Sequence, residues 1–300
     1  MGHKGKLLII GSTGMLGRSL TAEAINRGYD TYTASRSSSD LYIDITDVNS
    51  IMVVVDKVNP DIIINAAAIV NLTECEIDPG KAYLVNARPA AILADISSAR
   101  GIYNIHISTD HYFSGDFMQL HDEKYPVRLL NEYARTKYAG ETYALTCPKS
   151  LVVRTNIVGF RGRADQQTFV EWVIYSLRNE HKMTLFDDFY TSSISTKQLS
   201  RTLFDVIDRR EIYGTLNIAS KGAYSKKDFI EKLARCFGYG LVHSYSGSVH
   251  DLPGVQRADS LGLNVSRVEK IVGYEMPYLD DVINQLYEDY MEEQKNGLCQ

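Results

Sequence analysis

The sequence predicts an α/β protein: a Rossmann-type, doubly wound parallel sheet with a smaller, mainly C-terminal α/β lobe. Two observations carry this prediction. The first half of the chain alternates short apolar runs with helical patterns, and a glycine-rich loop joins the first apolar run to the first helix. Continuous apolar runs are typical of strands buried on both faces of a parallel sheet. Repeated strand–helix alternation requires crossover connections, which produce a doubly wound sheet.

The predicted elements follow one another regularly up to residue 154. The predicted strands span residues 7–10, 30–34, 42–43, 61–65, 102–107 and 151–154. The predicted helices of this half span residues 14–27, 48–58, 81–100 and 129–147. After residue 154 the alternation stops, and the pattern predicts helices over 168–178, 196–209, 226–237 and 279–292 with one strand over 213–218. Ser195 and Gln198 form a predicted capping box at the second of these helices.

This change of rhythm predicts two domains. Residues 1–155, together with about 192–219, are expected to form a Rossmann domain. Residues from about 156 to 191 and from 220 to 300 are expected to form a smaller second lobe; the motifs described below assign the cofactor to the first and the substrate to the second.

Composition excludes several classes of partner. The formal charge of −5 and the pI near 5.8 argue against nucleic acid or anionic lipid as the main partner. No apolar run approaches the ~20 residues that span a bilayer. The 4 cysteines are scattered without metal-ligand spacing, so they predict reduced thiols in a cytoplasmic protein and no metal site.

A glycine-rich loop follows the first predicted strand. It spans residues 11–17, with glycine at Gly11, Gly14 and Gly17. In dinucleotide-binding folds the first glycine permits a tight turn, the second lets the backbone approach the pyrophosphate, and the third lets helix and strand pack closely. The phosphates then face the free N–H groups of the helix N-terminus. The loop predicts a dinucleotide site, and a purely structural turn is the alternative interpretation.

The end of the second predicted strand predicts the cofactor preference. A site that prefers NADH carries an Asp or Glu there, which accepts from the ribose 2′-hydroxyl. This chain has Arg36 and neighbouring serines instead. A guanidinium pairs well with a 2′-phosphate, so we predict NADPH over NADH. An ordinary surface charge is the alternative for Arg36.

Tyr133 and Lys137 lie one turn apart on one face of a predicted helix. Carbonyl reduction needs a proton donor beside the oxygen on which negative charge develops, and a neighbouring ammonium stabilises a phenolate. The spacing alone arises by chance in a chain with 20 tyrosines. Its position gives it weight, because residues 108–110 end a predicted strand at the sheet edge where open α/β sheets bind ligands. Thr109, Tyr133 and Lys137 are therefore predicted to converge on one carbonyl, with a plain turn as the alternative for residues 108–110.

The order of these motifs resembles that of the extended short-chain dehydrogenase/reductases, and most closely the dTDP-4-dehydrorhamnose reductases among them. The likeness runs from about residue 6 to residue 286 and rests on the glycine loop, residues 65–68, 85–86, 108–110, 133–137, 140–141 and 154–155, continued by residues 169–170, 185–188, 214–219 and 257–260. The resemblance implies an oxidoreductase of polysaccharide biosynthesis, which uses NADPH to reduce a 4-keto group on a nucleotide-linked deoxysugar. It also implies a homodimer.

The resemblance implies a role for each matched residue. Tyr133 would be the general acid, Lys137 would bind the nicotinamide ribose and tune Tyr133, and Thr109 would hydrogen-bond the substrate carbonyl. Other cofactor contacts would come from Thr13, Met15 and Leu16 at the pyrophosphate, Asp44 and Ile45 at the adenine, and Ala66, Ala67 and Ala68 along the cofactor. Substrate contacts would come from Val70, Asp110, His111 and Asn156. Arg161, Arg163 and Arg257 are candidates for the substrate diphosphate because bidentate donors suit phosphate, with an ordinary surface charge as the alternative for each. Asn86 would organise the site or act only structurally.

The chain departs from the subfamily pattern at the substrate position. His111 replaces a pocket tyrosine, Asn156 and Ile157 replace a Ser-Trp pair, and residues 69–72 read Ile-Val-Asn-Leu instead of Tyr-Thr-Ala-Val. The cofactor and Tyr-Lys residues are kept. This distribution predicts a reductase for a different sugar or a different nucleotide base.

Three other functions stay open at the level of sequence. A 4,6-dehydratase of the same superfamily would need a glutamate where this chain has His111, although an imidazole can also transfer protons. A 4-epimerase would return its cofactor unchanged and consume no NADPH. A non-catalytic NADP-binding regulatory subunit is the third, because the regulatory subunit of methionine adenosyltransferase resembles the same family and fold does not fix function.

Overall fold

The computed structural model describes residues 4–37, 39–162, 166–209 and 212–295. These residues divide into two compact units. The first unit comprises residues 1–109, 129–154 and 200–216, and the second comprises residues 110–128, 155–199 and 217–300, in each case as far as they are described. Residues 110–128, 155, 192–199 and 217–219, which the sequence placed with the cofactor domain, group with the second unit.

Short strands and longer helices follow one another along the chain. The strands are β1 (Lys6–Ile10), β2 (Asp30–Ser35), β3 (Leu41–Tyr42), β4 (Ile62–Asn65), β5 (Tyr103–Ile107), β6 (Ser150–Arg154), β7 (Ile157–Val158), β8 (Met183–Phe186), β9 (Tyr190–Thr191), β10 (Ile194–Ser195), β11 (Gly214–Asn217), β12 (Tyr224–Ser225), β13 (Ser244–Gly247) and β14 (Ser260–Leu261). The helices are α1 (Met15–Asn26), α2 (Val48–Val58), α3 (Leu72–Ile77), α4 (Pro79–Asn86), α5 (Arg88–Arg100), α6 (Glu132–Ala144), α7 (Phe169–Arg178), α8 (Thr196–Arg209), α9 (Lys226–Phe237), α10 (Ser266–Val272) and α11 (Leu279–Lys295).

A seven-stranded sheet forms the centre of the first unit. Its strand order is β11-β6-β5-β4-β1-β2-β3, and β1 pairs in parallel with both β2 and β4. The chain therefore winds to one side from β1 to β3 and to the other from β4 to β6, which is the doubly wound arrangement. Leu7, Leu8 and Ile9 of β1 are completely buried, as strands covered on both faces require. The predicted fold class is confirmed.

The second unit combines small sheets with a helical core. β7 pairs with β10, β8 pairs with β13, and β9 lies between β12 and β14. The apolar core joins side chains of α7, α9 and α11, among them Val170, Val173, Phe229, Leu233 and Val282. The sequence predicted the three helices and missed these strands, because runs of two to four residues are too short to show a period of two.

One predicted helix is wrong in detail. Residues 81–100 form two helices, α4 and α5, separated at Ala87, and α3 precedes them. Pro89 lies in the first turn of α5, where its missing N–H is tolerated. Inside one continuous helix the same proline would remove a hydrogen bond and clash with the preceding turn. The predicted capping box is confirmed, since Ser195 N donates to Gln198 Oε1 at 3.3 Å and Gln198 N donates to Ser195 Oγ at 3.2 Å.

Among the helices that the structure describes, none is long and apolar enough to cross a membrane.

Candidate active site

The glycine loop of the first unit lies between β1 and α1 and has the close contacts expected of it. Gly11 has φ of 83°, and a Cβ there would lie 2.7 Å from the Ala67 amide nitrogen. A Cβ on Gly17 would lie 2.2 Å from the Gly11 carbonyl oxygen. A side chain at either position would collide with backbone, which cannot retreat as the end of a flexible side chain can. The loop therefore keeps its shape only with glycine at both positions.

The start of α1 offers backbone N–H groups to a ligand. Gly14 is the N-cap, and Arg18 N donates to Gly14 O, so the amides of Met15, Leu16 and Gly17 precede the first intrahelical bond. In the described chain no side chain caps this helix. Gly14 is exposed and Thr13 is half-buried in the turn. A Cβ on Gly14 would lie 3.3 Å from the Gly11 carbonyl oxygen. Free amides, a bare N-cap and the helix dipole fit the pyrophosphate of a dinucleotide.

The end of β2 carries a free cation. Arg36 follows Ser35, is exposed, and makes no hydrogen bond or ion pair with any residue that the structure describes. The nearby Asp44 carboxylate accepts from Thr46 N at 2.9 Å and from Thr46 Oγ1 at 2.7 Å. These bonds, with a smaller contribution from Arg36, lower the pKa of Asp44. Asp44 thus fixes the turn before the buried Ile45, while the Arg36 guanidinium stays available to a phosphate.

Residues 66–68 continue from the end of β4 as a partly exposed segment. Ala66 N donates to Ile10 O at 2.9 Å, which ties the segment to β1 beside the glycine loop. Asn86 holds the following residue on both sides: its Oδ1 accepts from Ile69 N at 2.8 Å and its Nδ2 donates to Ile69 O at 3.0 Å. The same Nδ2 lies 3.1 Å from Thr136 Oγ1 on α6. This geometry favours the structural interpretation of Asn86, which joins the segment to α6.

The predicted Tyr-Lys pair lies at the start of α6. Asn131 caps this helix by accepting from Ala134 N at 2.9 Å. Tyr133 is buried beside Cys75 and Ala82, with 7% of its surface exposed. Lys137, one turn further on, is also buried and donates from Nζ to Ile107 O at 2.7 Å. Because Ile107 ends β5, the face of α6 that carries both residues lies at the carboxyl end of that strand.

Thr109, the third predicted catalytic residue, lies two positions beyond the end of β5. It is buried, with 3% of its surface exposed. Its neighbour Ser108 donates from its amide to Val153 O at 2.7 Å, which continues the pairing of β5 with β6. The structure therefore brings a hydroxyl, a phenol and an ammonium to the same end of one strand, in one unit of the chain.

A buried carboxylate fixes this arrangement. Glu141, one turn after Lys137 on α6, accepts from Ser108 Oγ at 2.6 Å. It also accepts from Arg154 Nη2 at 2.8 Å and from Arg154 Nε at 3.1 Å. Two parallel bonds to a guanidinium give the pair a defined orientation. The motif residues at 141 and 154 were noted in the sequence without a role, and only the structure shows that they join α6 to the ends of β5 and β6.

Burial also sets the charge state of the lysine. Desolvation lowers the pKa of Lys137 to about 8, and the Glu141 carboxylate opposes that decrease. At neutral pH the side chain is therefore mainly an ammonium. A buried ammonium close to a phenol is the arrangement that favours ionisation of the phenol.

Three of the predicted substrate residues lie together in the second unit. Asn156 Nδ2 donates to Asp110 Oδ2 at 2.8 Å, and Ser193 Oγ donates to Asn156 Oδ1 at 3.0 Å. Both ends of the Asn156 amide are thus engaged, which fixes its orientation. His111 is half-buried, and burial together with Lys226 and Arg257 lowers its pKa to about 4. The imidazole is therefore neutral at physiological pH.

The remaining substrate candidates are more exposed. Val70, in the first unit, has 61% of its surface exposed, and Arg257, in the second unit, is exposed as well. Arg161 is half-buried, and its guanidinium Nη1 donates to Gln166 O at 3.3 Å, within the same segment of the chain. Arg163 lies outside the described residues.

A family model and named relatives match most of the chain. The family model described as "RmlD substrate binding domain" matches residues 5–290. A probable low-salt glycan biosynthesis reductase, Agl14, from Haloferax volcanii is 29% identical over 94% of this chain and 98% of its own length. A dTDP-4-dehydrorhamnose reductase from Mycobacterium tuberculosis is 30% identical over 75% of this chain and 73% of its own length.

Solved structures of dTDP-4-dehydrorhamnose reductases have the same fold as this chain. A dTDP-4-dehydrorhamnose reductase from Clostridium acetobutylicum superposes with a TM-score of 0.84 at 26% identity, over 96% of this chain and 99% of the other. The dTDP-4-dehydrorhamnose reductase of Bacillus anthracis, solved in complex with NADP, gives 0.85 at 25% identity, over 95% and 99%. The family resemblance predicted from the motifs is confirmed.

Replacing Gly17 by alanine tests the packing of the glycine loop. The added methyl meets the Gly11 carbonyl and the Ser12 backbone, so we expect a loss of about 1–3 kcal/mol in unfolding free energy and weaker NADPH binding. Denaturant titration and fluorescence titration with NADPH measure the two effects. Gly80→Ala is the matched control, because its new methyl meets only the Asp78 side chain at 3.5 Å. Equal behaviour of the two variants would contradict the close approach at Gly17.

Replacing Glu141 by glutamine tests the buried anchor. Arg154 would keep its charge in a buried place without a counter-charge, and breaking such a pair costs about 3–5 kcal/mol. The free energy of unfolding measures the loss. Glu141→Gln combined with Arg154→Met removes both charges, and we expect this double variant to recover much of the stability. Additive losses from Glu141→Gln and Arg154→Met would show that the two side chains are not coupled.

Proposed function

The chain belongs to the RmlD substrate-binding domain family, and from that premise we propose that it uses NADPH to reduce a 4-keto group on a nucleotide-linked deoxysugar. The predicted class of activity, an NADP-dependent sugar-nucleotide reductase, is confirmed by relatives named dTDP-4-dehydrorhamnose reductase and by the NADP-bound member of the same group. The observation that carries the proposal for this chain is the buried Lys137, held at the end of β5 one turn from Tyr133.

NADPH, when bound, supplies the hydride that reaches the carbonyl carbon. The free amides at the start of α1 and the guanidinium of Arg36 are the groups of this chain that fit its phosphates. We propose that Tyr133 donates its phenolic proton to the carbonyl oxygen, which completes the alcohol. Lys137 stabilises the resulting phenolate and holds the nicotinamide ribose, while Thr109 orients the carbonyl oxygen by a hydrogen bond.

The substrate residues support a sugar different from that of the closest subfamily pattern. Asp110 and Asn156 are fixed by hydrogen bonds to each other, and His111 stands where the pattern has a tyrosine. The low pKa of His111, about 4, gives its imidazole a basicity close to that of a glutamate, whose ordinary pKa is about 4.3. A 4,6-dehydratase that used His111 in place of a glutamate therefore stays the alternative, and net consumption of NADPH separates a reductase from it. The cytoplasmic location and the homodimer stay predictions.

Replacing Tyr133 by phenylalanine removes the proposed proton donor and keeps the ring. We expect turnover of a 4-keto sugar nucleotide to fall about 10²–10⁴-fold, the usual contribution of a positioned acid, with NADPH binding retained. NADPH oxidation followed by absorbance measures turnover, and fluorescence titration measures binding.

Tyr143→Phe is the control for that variant. Tyr143 lies on the same helix, and among the residues that the structure describes its hydroxyl pairs with the Tyr83 hydroxyl alone, at 2.9 Å near the surface. We expect it to keep wild-type turnover. Wild-type turnover in Tyr133→Phe would remove Tyr133 from the mechanism.

Replacing Arg36 by alanine tests the cofactor preference. A charge-assisted hydrogen bond contributes about 1.5–3 kcal/mol, so we expect NADPH affinity to fall by about 10- to 150-fold. NADH affinity should stay within a factor of two or so, since NADH has no 2′-phosphate for a guanidinium to bind. Titration of both cofactors against wild type and variant measures the ratio, and an equal loss for both would contradict the role of Arg36.

A further inference from the structure

Lys226, a residue that no motif pointed to, holds a cation among the substrate residues of the second unit. Its backbone is fixed at the start of α9, where Ser225 and Asp228 form a capping box and Lys226 N donates to Phe189 O at 2.9 Å. Its side chain is half-buried. The position is therefore set by the fold and is not that of a freely moving surface lysine.

The ammonium of Lys226 lies against aromatic rings. Nζ is 3.8 Å from the centroid of the Phe169 ring and 5.6 Å from that of Phe189. It makes no hydrogen bond or ion pair with any residue that the structure describes. An ammonium has three N–H donors. A ring face attracts the positive charge, but it does not replace the hydrogen bond that an oxygen acceptor would make. The N–H donors of the partly buried Lys226 ammonium can therefore bind an oxygen atom of a ligand.

The neighbours of Lys226 are residues of the proposed substrate site. The Asp110 carboxylate raises the pKa of Lys226 against the effect of burial, and Lys226 lowers the pKa of His111. Asp110 already accepts the Asn156 amide at 2.8 Å. Arg257 adds a second cation near His111. The carboxylate that acts on Lys226 is thus already hydrogen-bonded to Asn156, and its charge leaves the ammonium able to attract an anionic ligand.

We propose that Lys226 binds an anionic oxygen of the nucleotide-sugar substrate. This inference rests on the proposed function, which supplies such a substrate. Two parts of that molecule carry the required chemistry: the diphosphate, and a carboxylate on the sugar ring where the sugar is an acid. An ammonium binds either as a point charge with several donors. The rings of Phe169 and Phe189 cover part of the Lys226 side chain, and attraction between charges is stronger where water is partly displaced.

Calorimetric titration of the NADPH-saturated full chain tests this inference. The probes are dTDP, UDP-glucose and UDP-glucuronic acid, and the variant is Lys226→Met, which keeps an unbranched side chain on the Phe169 ring. Lys227→Met is the matched control, because Lys227 is the next residue of the same helix and its ammonium lies 3.2 Å from Ser246 Oγ. Lys226→Arg, which keeps the charge, should restore binding if Lys226→Met folds less well.

We expect Lys226→Met to weaken at least one probe tenfold or more, and Lys227→Met to weaken none. Weaker binding of dTDP and of both UDP-sugars by a similar factor would identify the diphosphate as the partner. Weaker binding of UDP-glucuronic acid alone would identify a sugar carboxylate. Wild-type affinity of Lys226→Met for every probe that the wild type binds would overturn the role of Lys226. A wild-type chain that binds NADPH and none of the probes would instead contradict a thymidine or uridine diphosphate sugar as the substrate of the proposed function, and with it the binding of such a substrate by Lys226.

Discussion

The buried ion pair between Glu141 and Arg154 is the interaction on which the candidate active site depends. It connects α6 to the end of β6, and the bond from Ser108 connects the same carboxylate to the end of β5. Tyr133 and Lys137 lie on that helix, so their position relative to β5 follows from this anchor. Removing one partner of such a pair leaves the other charge buried without a counter-charge, which strongly destabilises the folded state. The two residues are therefore expected to be kept together.

The close packing of α6 against β5 buries His106 and keeps its imidazole neutral. Gly140 lets α6 approach its neighbours, since a Cβ there would lie 2.5 Å from Asn86 O and 3.0 Å from His106 Nε2. His106 is buried in β5, and desolvation together with the Lys137 ammonium holds its pKa well below the usual value. A neutral imidazole adds no second cation beside Lys137. The Lys137 ammonium is therefore not accompanied by a charged His106, and a buried ammonium is the kind of group that stabilises a phenolate.

The strand β1, the glycine loop and the helix α1 could be predicted, because short stretches of sequence determine them. Residues 7–10 form a continuous apolar run, and the glycine spacing after it has one well-known structural use, so β1, the loop and α1 follow from about twenty residues. The two-residue strands of the second unit were not predictable, because each depends on a partner strand far away in the chain. The break between α4 and α5 at Ala87 could have been predicted, because Pro89 is typical of the first turn of a new helix.

Roles that depend on long-range contacts were not visible in the sequence. Glu141 and Asn86 belong to recognised motifs, but their partners lie 13 to 50 positions away. Lys226 belongs to no motif and looked like one of many surface cations. Only the rings of Phe169 and Phe189 and the proximity of Asp110 distinguish it.

Transfer of deuterium tests the central claim, that this site delivers hydride to a sugar ketone. The substrate would be a 4-keto sugar nucleotide, and the NADPH would carry deuterium at both hydrogens of nicotinamide C4. The account predicts one deuterium on the former carbonyl carbon for each NADPH oxidised; a product without deuterium, or a sugar rearranged while NADPH is conserved, would contradict it.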